Sequence, residues 1–181
     1  MFDRDQFIAD TQAAIRLHSA HDPVRELVER AVAEPSAVIE ALGEPRRAGI
    51  ETIHRAPDLT ILNVVWGAKM TLMPHDHRMW AVIGVYTGRE DNIFWRRLPA
   101  DAGGRIEAAG ARALSVKDAV LLGKDIVHSV TNPIPRLTGA IHVYGGDFFS
   151  IERSEWDPET LCEGPFDVSR ALAAFEQANL R

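Results

Sequence analysis

Three histidines carry the strongest chemical signal in this sequence. His75 and His77 stand two residues apart in PHDHRMW, and His128 follows in GKDIVHSVTN. On a β-strand, side chains at that spacing point to the same face, so both imidazoles can converge on one ion while Asp76 points the other way. A third ligand must come from another strand, and His128 follows a glycine-containing turn and begins an apolar strand. The pattern predicts a mononuclear metal site formed by the three imidazoles.

An isolated pair of histidines at this spacing is weak evidence, because two partly exposed surface histidines give the same pattern. The strand-rich surroundings favour the metal site, as does His128 with Asn132 four positions beyond it. Glu90 follows Gly88 in a predicted hairpin turn, and it is an alternative ligand that its position disfavours.

The elements that must position these histidines are short strands. From about Ile50 to Ile151, β-branched and aromatic residues are grouped in short segments, separated by turns that contain Gly, Pro, Asp and Asn. The clearest segments are LTILNVVW, WAVIGVY, NIFWRRL, AVLLG and GAIHVY. Many short strands at this spacing are typical of a barrel or jelly roll rather than of βαβ units.

Helical periodicity frames the strands on both sides. Apolar residues at three- and four-residue spacing predict a helical N-terminal segment over residues 1–43 and a C-terminal helix over 166–180. The length of 181 residues suits one well-packed domain. We therefore expect a single domain over residues 1–181, with a β-barrel over 50–152 and the helices packed against its outside.

Composition excludes several classes of function. The net charge of -6 and the absence of a basic block argue against a nucleic-acid partner. Cys162 is the only cysteine, so no intrachain disulfide forms and a reducing compartment is expected. The N-terminus lacks the apolar stretch of a signal peptide, and no segment is long enough to cross a bilayer. We expect a cytoplasmic protein that binds no membrane, and exposed strand edges leave a homodimer open.

The histidine motifs resemble those of the cupin superfamily. Gly67, then PHDH, then Gly88 are similar to the first cupin motif, and His128 with Asn132 is similar to the second. The resemblance implies a double-stranded β-helix, which is a mainly β jelly-roll barrel. The usual cupin glutamate ligand should fall at or near Ala81, where it is absent. A set of three histidines without it resembles the thiol dioxygenases of the cysteine dioxygenase-like family.

This second resemblance covers roughly Asp58 to Phe149. LNVVWGAKMTLMPHDH is similar to the stretch that leads into the family's first two ligands, and HSVTNPIPRLTGAIHVYGGDF to the stretch from the third ligand onward. It implies that the three histidines bind ferrous iron (Fe²⁺), with Zn or Ni as alternatives in the isolated protein. It also implies a catalytic pair, His142 and Tyr144, in which the tyrosine hydroxyl donates to oxygen or to a substrate carboxylate and the histidine orients it.

The sequence departs from the family pattern at two positions. The family's serine two residues before the histidine of this pair is Ala140 here. The cysteine that cross-links to the tyrosine in animal enzymes would fall near Val82, so no thioether is expected. These departures leave the identity of the substrate open.

The resemblance implies a non-haem iron dioxygenase that oxidises a small thiol, such as cysteine or 3-mercaptopropionate, to its sulfinate with O2. Three neutral imidazoles leave the full charge of the metal, which favours an anionic thiolate. A substrate carboxylate would need an arginine, and Arg55 lies near the region where the family has one, although a solvated role at a strand end fits Arg55 equally well. The alternatives are another three-histidine cupin chemistry, such as carbon–carbon cleavage of a diketone, and a cupin that binds metal or ligand without turnover.

Overall fold

Two antiparallel sheets form the body of the protein. The computed structural model describes residues 1–17 and 21–180, in which one sheet has five strands and the other has six. In chain order the strands are β1 Gly49–Ala56, β2 Leu59–Trp66, β3 Thr71–Asp76, β4 Ala81–Thr87, β5 Arg89–Arg97, β6 Ile106–Ser115, β7 Ala119–Leu122, β8 Val127–Thr131, β9 Thr138–Tyr144, β10 Ser154–Trp156 and β11 Glu163–Pro165.

The strand order shows how the chain winds. The five-stranded sheet runs β1-β2-β9-β4-β7, and the six-stranded sheet runs β11-β10-β3-β8-β5-β6. Between β3 and β9 the chain passes repeatedly from one sheet to the other, so that the sheets lie face to face. This topology is a jelly roll, or double-stranded β-helix, and it confirms the predicted mainly β fold class.

Four helices accompany the sheets: α1 Arg4–Leu17, α2 Asp22–Ala33, α3 Pro35–Leu42 and α4 Val168–Ala178. The apolar face of α2 packs on the outer face of the five-stranded sheet, where Val24, Val28 and Val32 are almost fully buried. None of the helices in the described residues is long and apolar enough to span a bilayer.

The inner faces of the two sheets enclose a second apolar cluster. It is formed by residues from both sheets and from α4, among them Leu62, Val64, Ile83, Val85, Leu114 and Val130. From α4, Ala171 and Phe175 are buried in this cluster, and the Phe175 ring stacks on Trp66 with 5.4 Å between ring centroids. The C-terminal helix therefore packs against the interior of the barrel at one end, rather than only against its outside.

Candidate metal centre

The structure brings the three predicted histidines together. His75 lies near the end of β3, His77 directly follows that strand, and His128 lies opposite His75 in the antiparallel register of β3 with β8. All three side chains are buried. The Nε2 atom of His77 lies 3.2 Å from Nε2 of His75 and 3.2 Å from Nε2 of His128. Among the described residues these three offer ligand atoms that all lie within 4.8 Å of one another.

Hydrogen bonds fix the position of the proton on two of the rings. His75 Nδ1 lies 2.9 Å from the carbonyl oxygen of Met73, which only accepts, so this Nδ1 carries the hydrogen. His128 Nδ1 lies 2.6 Å from Asn92 Oδ1, and the Asn92 amide is oriented because its Nδ2 donates to Glu90 over 3.0 Å. Both rings therefore direct an unprotonated Nε2 toward His77.

Burial keeps the three imidazoles neutral. Desolvation lowers the pKa of His75 to about 4 and lowers the pKa of His77 and of His128 well below the ordinary value. Neutral imidazole is the form that binds a metal. Two unprotonated nitrogens face a third that has at most one hydrogen to donate, so the cluster is rich in lone pairs. This set of donors fits a divalent cation.

The residue between His75 and His77 is held by contacts on the side of the strand that faces away from the cluster. Asp76 is fully buried and points away from the cluster, as strand alternation predicts. Its carboxylate pairs with Arg78 and with Arg97, each over 2.7 Å, and accepts a hydrogen bond from the Ser154 backbone. These contacts fix the backbone that carries His75 and His77.

His142 and Tyr144 face the cluster from the opposite sheet. They lie two residues apart on β9, and the Tyr144 hydroxyl lies 3.0 Å from His142 Nδ1. The Tyr144 ring contacts the His77 ring edge to face, with 5.0 Å between centroids. Burial raises the pKa of Tyr144, so its hydroxyl stays protonated. The predicted catalytic pair therefore lies beside the predicted ligands.

Glu90 connects the two halves of this arrangement, although it does not belong to the cluster of ligand atoms. Its fully buried carboxylate accepts hydrogen bonds from Trp66 Nε1 over 2.7 Å and from Asn92 Nδ2 over 3.0 Å. Its Oε2 also lies 3.4 Å from Nε2 of His142. The alternative that Glu90 replaces a ligand gains no support from these contacts.

A cavity of about 1080 Å³ opens onto the three histidines, and Arg153 lines it. The guanidinium of Arg153 lies over the rings of Phe148 and Phe166, at 3.9 and 4.2 Å from their centroids. Its Nη1 is buried and has no hydrogen-bond partner among residues 1–17 and 21–180. Burial lowers the pKa of Arg153 from its ordinary value. A half-buried cation without a carboxylate partner suits an anionic ligand, because a bound anion would offset the cost of desolvating it.

Arg55, the arginine predicted to bind a substrate carboxylate, does not line this cavity. Its guanidinium forms two hydrogen bonds of 2.9 Å to the Asp147 carboxylate and one of 3.2 Å to Ser150. Asp147 therefore already neutralises its charge. A role of Arg55 in substrate binding stays a prediction, while the geometry of the cavity offers Arg153 for the same task. Sequence reasoning missed Arg153 because no motif or periodicity surrounds it.

Strand pairing shows which residue of β4 faces Tyr144. Ala81 lies opposite Tyr144 in the register of β4 with β9, whereas Val82 packs on the outer face against the N-terminal helices. The position that faces the tyrosine is therefore Ala81 and not Val82, because alternate residues of a strand point to opposite faces. Neither residue offers a sulfur, so the absence of a thioether stands. Ala140 is also buried and offers no hydroxyl group.

Comparison with known proteins assigns no family and no residue role to this chain. No protein-family model matches the sequence. An RmlC-like cupin family protein with a double-stranded β-helix fold from Methanocaldococcus jannaschii has a TM-score of 0.48 and 8% identity, over 59% of this chain and 86% of that one. A protein from Bacillus halodurans has a TM-score of 0.49 and 14% identity, over 64% and 77%. A DMSP lyase from Ruegeria pomeroyi has a TM-score of 0.48 and 17% identity, over 62% and 53%. At these identities no residue role is transferred.

Proposed function

We propose that the protein is an iron-dependent dioxygenase that converts the thiol of a carboxylic acid to its sulfinate. The observation that carries this proposal is that three neutral imidazoles and the guanidinium of Arg153 line one cavity. In the described residues this guanidinium has no carboxylate partner, and a single ligand can reach all four groups. The reaction is balanced without a further reductant, because a thiol RSH and one O2 together give the sulfinic acid RSO2H.

His75, His77 and His128 are the residues that would hold the metal. Ferrous iron, when bound, would supply the redox chemistry that the reaction with O2 needs. The three imidazoles add no negative charge, so the site keeps its affinity for an anionic thiolate. Asn92 and the Met73 carbonyl hold two of the rings in the tautomer that ligation requires.

Arg153 is the residue we assign to the substrate carboxylate. Its guanidinium lies between two phenyl rings, which exclude water and restrict its orientation. A carboxylate placed against it forms charge-assisted hydrogen bonds that are stronger than those at an exposed arginine. Tyr144 then lies in the wall between the metal ligands and His142, with a protonated hydroxyl near the reacting end of the substrate.

The experiment that tests this function is oxygen uptake by the iron-loaded protein with cysteine, 3-mercaptopropionate and cysteamine. We expect one O2 consumed per sulfinate formed, and slower uptake with cysteamine because it lacks a carboxylate. Arg153→Gln should remove this difference between substrates. Absence of uptake with each of these thiols and with a longer-chain thiol acid, 8-mercaptooctanoate, contradicts the proposal. Full occupancy by zinc or nickel, with an activity that iron does not change, favours a different cupin chemistry.

A further inference from the structure

The cavity is much larger than a three-carbon thiol acid. Such a molecule has about six non-hydrogen atoms and fills under about 200 Å³ if each takes roughly the 30 Å³ of a water molecule. The cavity has about 1080 Å³. Its wall beyond the histidines is mainly hydrocarbon and includes Leu62, Val64, Leu72, Phe166 and Phe175. A small acid would leave most of this apolar wall in contact with water.

The rim of the cavity is apolar as well as exposed. Phe149 is 46% exposed, and on α4 Val168 and Leu172 are 57% and 52% exposed. Ile50 and Ile151 line the same opening and are also exposed. Scattered exposed apolar residues are normal, but a group of them around one opening is typical of a ligand groove.

We infer that the ligand of this site is an acid with an extended apolar group, aliphatic or aromatic, that lies along the wall from Leu62 to the rim at Leu172. The thiol in this ligand rests on the proposed function, whereas the apolar group does not. The charge of Arg153 favours an acid, because no carboxylate of the described residues pairs with its guanidinium, and Glu152, which also lines the cavity, is exposed to solvent. The other arginine of the lining, Arg78, is paired with Asp76.

The test measures the binding of saturated acids without a thiol, from propanoate to octanoate, by calorimetry of the whole chain. Burial of each added methylene should tighten binding about fourfold, the equivalent of about 0.8 kcal/mol. An affinity that does not change with chain length overturns the inference. Because none of these probes contains sulfur, failure of the dioxygenase proposal in the oxygen-uptake assay leaves this result unaffected.

Two variants of neighbouring residues on α4 locate the apolar group. Leu172→Asp places a charge at the rim and should weaken octanoate binding at least tenfold, with little effect on propanoate. Ala173→Asp is the matched control, since Ala173 is exposed on the same helix but does not line the cavity. Equal effects of the two variants on octanoate overturn the inference. It is also overturned if Leu172→Asp abolishes self-association of the protein while octanoate binding is unchanged, since the rim would then be an interface between copies.

A second inference rests on a separate set of contacts, those of Glu90. Although burial alone raises it, the pKa of Glu90 is lowered overall by the polar groups around its carboxylate, which accepts hydrogen bonds from Asn92 and Trp66. Nε2 of His142 is buried, and no other hydrogen-bonding atom partners it in the described residues. The distance of 3.4 Å is longer than a formed hydrogen bond, but Glu90 is the polar group that this nitrogen faces.

We propose that Glu90 is a positioning residue that selects the tautomer of His142. A carboxylate only accepts, so Nε2 of His142 carries the hydrogen and Nδ1 is left to accept from the Tyr144 hydroxyl. The same carboxylate orients Asn92, and Asn92 in turn orients the ligand His128. The buried Glu90 side chain therefore aligns both the ligand His128, through Asn92, and the pair of His142 and Tyr144.

Nitrogen-15 NMR of the imidazole groups tests this role without an activity assay. In the unaltered protein Nδ1 of His142 should have the shift of an unprotonated nitrogen, and a protonated Nδ1 overturns the proposal. Glu90→Gln should retain the metal but move the His142 hydrogen toward Nδ1, because the new amide can donate to Nε2. The control is Glu107→Gln on β6, a partly exposed position whose carboxylate pairs with Arg96 outside the cavity lining, and it should leave the His142 signals unchanged. Unchanged signals in a folded Glu90→Gln variant also contradict the proposal.

Discussion

The two faces of the five-stranded sheet are built from alternate residues of the same strands, and they differ in chemistry. On β9, Ile141 and Val143 pack outward against the N-terminal helices, in a mainly apolar layer that includes the hydrogen bond from the Tyr86 hydroxyl to Asn63 Oδ1. On the inner face of the same strand, His142 and Tyr144 line the cavity. The outer face is mainly closely packed hydrocarbon, whereas the inner face combines hydrocarbon with several hydrogen-bonded polar groups and open space.

This difference separates stability from function at the level of single residues. The outer layer stabilises the fold through burial and close packing, which require only apolar shape. The inner face needs particular donors and acceptors at fixed positions, supported by the neighbouring strands. Substitutions one residue apart on β9 should therefore affect different properties. The predictions below test that separation, beginning with the largest expected effect.

His128→Ala should remove most of the bound metal, because it deletes one of the three proposed ligands and leaves only the imidazoles of His75 and His77. Metal content per chain, measured by plasma mass spectrometry after dialysis, checks this expectation. His54→Ala is the control, since His54 lies on β1 outside the cluster and contacts Gln12. A full equivalent of metal retained by His128→Ala would show that it is not a ligand.

Ile141→Ala should lower the free energy of unfolding by about 2–5 kcal/mol, because it leaves a cavity in the outer hydrocarbon layer. Ile141 is fully buried between the sheet and the helices. Urea denaturation measures the change, and metal content should stay at the level of the unaltered protein. Loss of metal from the folded variant would mean that the two faces are not independent.

Gly84→Ala should lower the free energy of unfolding by about 1–3 kcal/mol through overpacking. A Cβ atom at this position of β4 would lie 2.4 Å from Val28 Cγ1 and 2.9 Å from Val32 Cγ1, so α2 must shift. Gly110→Ala on β6 is the matched control, because a Cβ atom there meets nothing within 4 Å. Equal destabilisation by the two substitutions would remove helix packing as the cause.

Tyr144→Phe should have the smallest structural effect, a change of no more than about 1.5 kcal/mol in the free energy of unfolding, because one hydrogen bond to His142 is lost. The variant should retain its metal and turn over thiol more slowly. Denaturation and oxygen uptake measure the two properties. An unchanged rate would assign Tyr144 to packing alone.

The sequence predicts those parts of the molecule that depend on local spacing. A spacing of two positions from His75 to His77, and again from His142 to Tyr144, is sufficient to place each pair on one face of a strand. The short segments of β-branched and aromatic residues, separated by turns, are local patterns as well, and they predict the barrel or jelly roll. That His128 lies opposite His75 depends on strand register, which the motifs indicated only through their resemblance to a known pattern.

The roles of the arginines depend on contacts that no local pattern records. Arg55 pairs with Asp147, which lies 92 residues later in the chain. Arg153 lies in a segment without periodicity, and only the fold reveals that its charge is unpaired within the cavity. The sequence indicates Glu90 only as an alternative metal ligand. Its contacts with Trp66 and His142 join strands that are distant in sequence, so no local pattern indicates its positioning role.

The claim that three histidines form one metal site is tested most directly by anomalous diffraction from iron-loaded crystals, with data collected on both sides of the iron absorption edge. The structure predicts one anomalous peak per chain, at about 2 Å from Nε2 of His75, His77 and His128. A peak at any other position, or one within bonding distance of fewer than these three nitrogens, would contradict it.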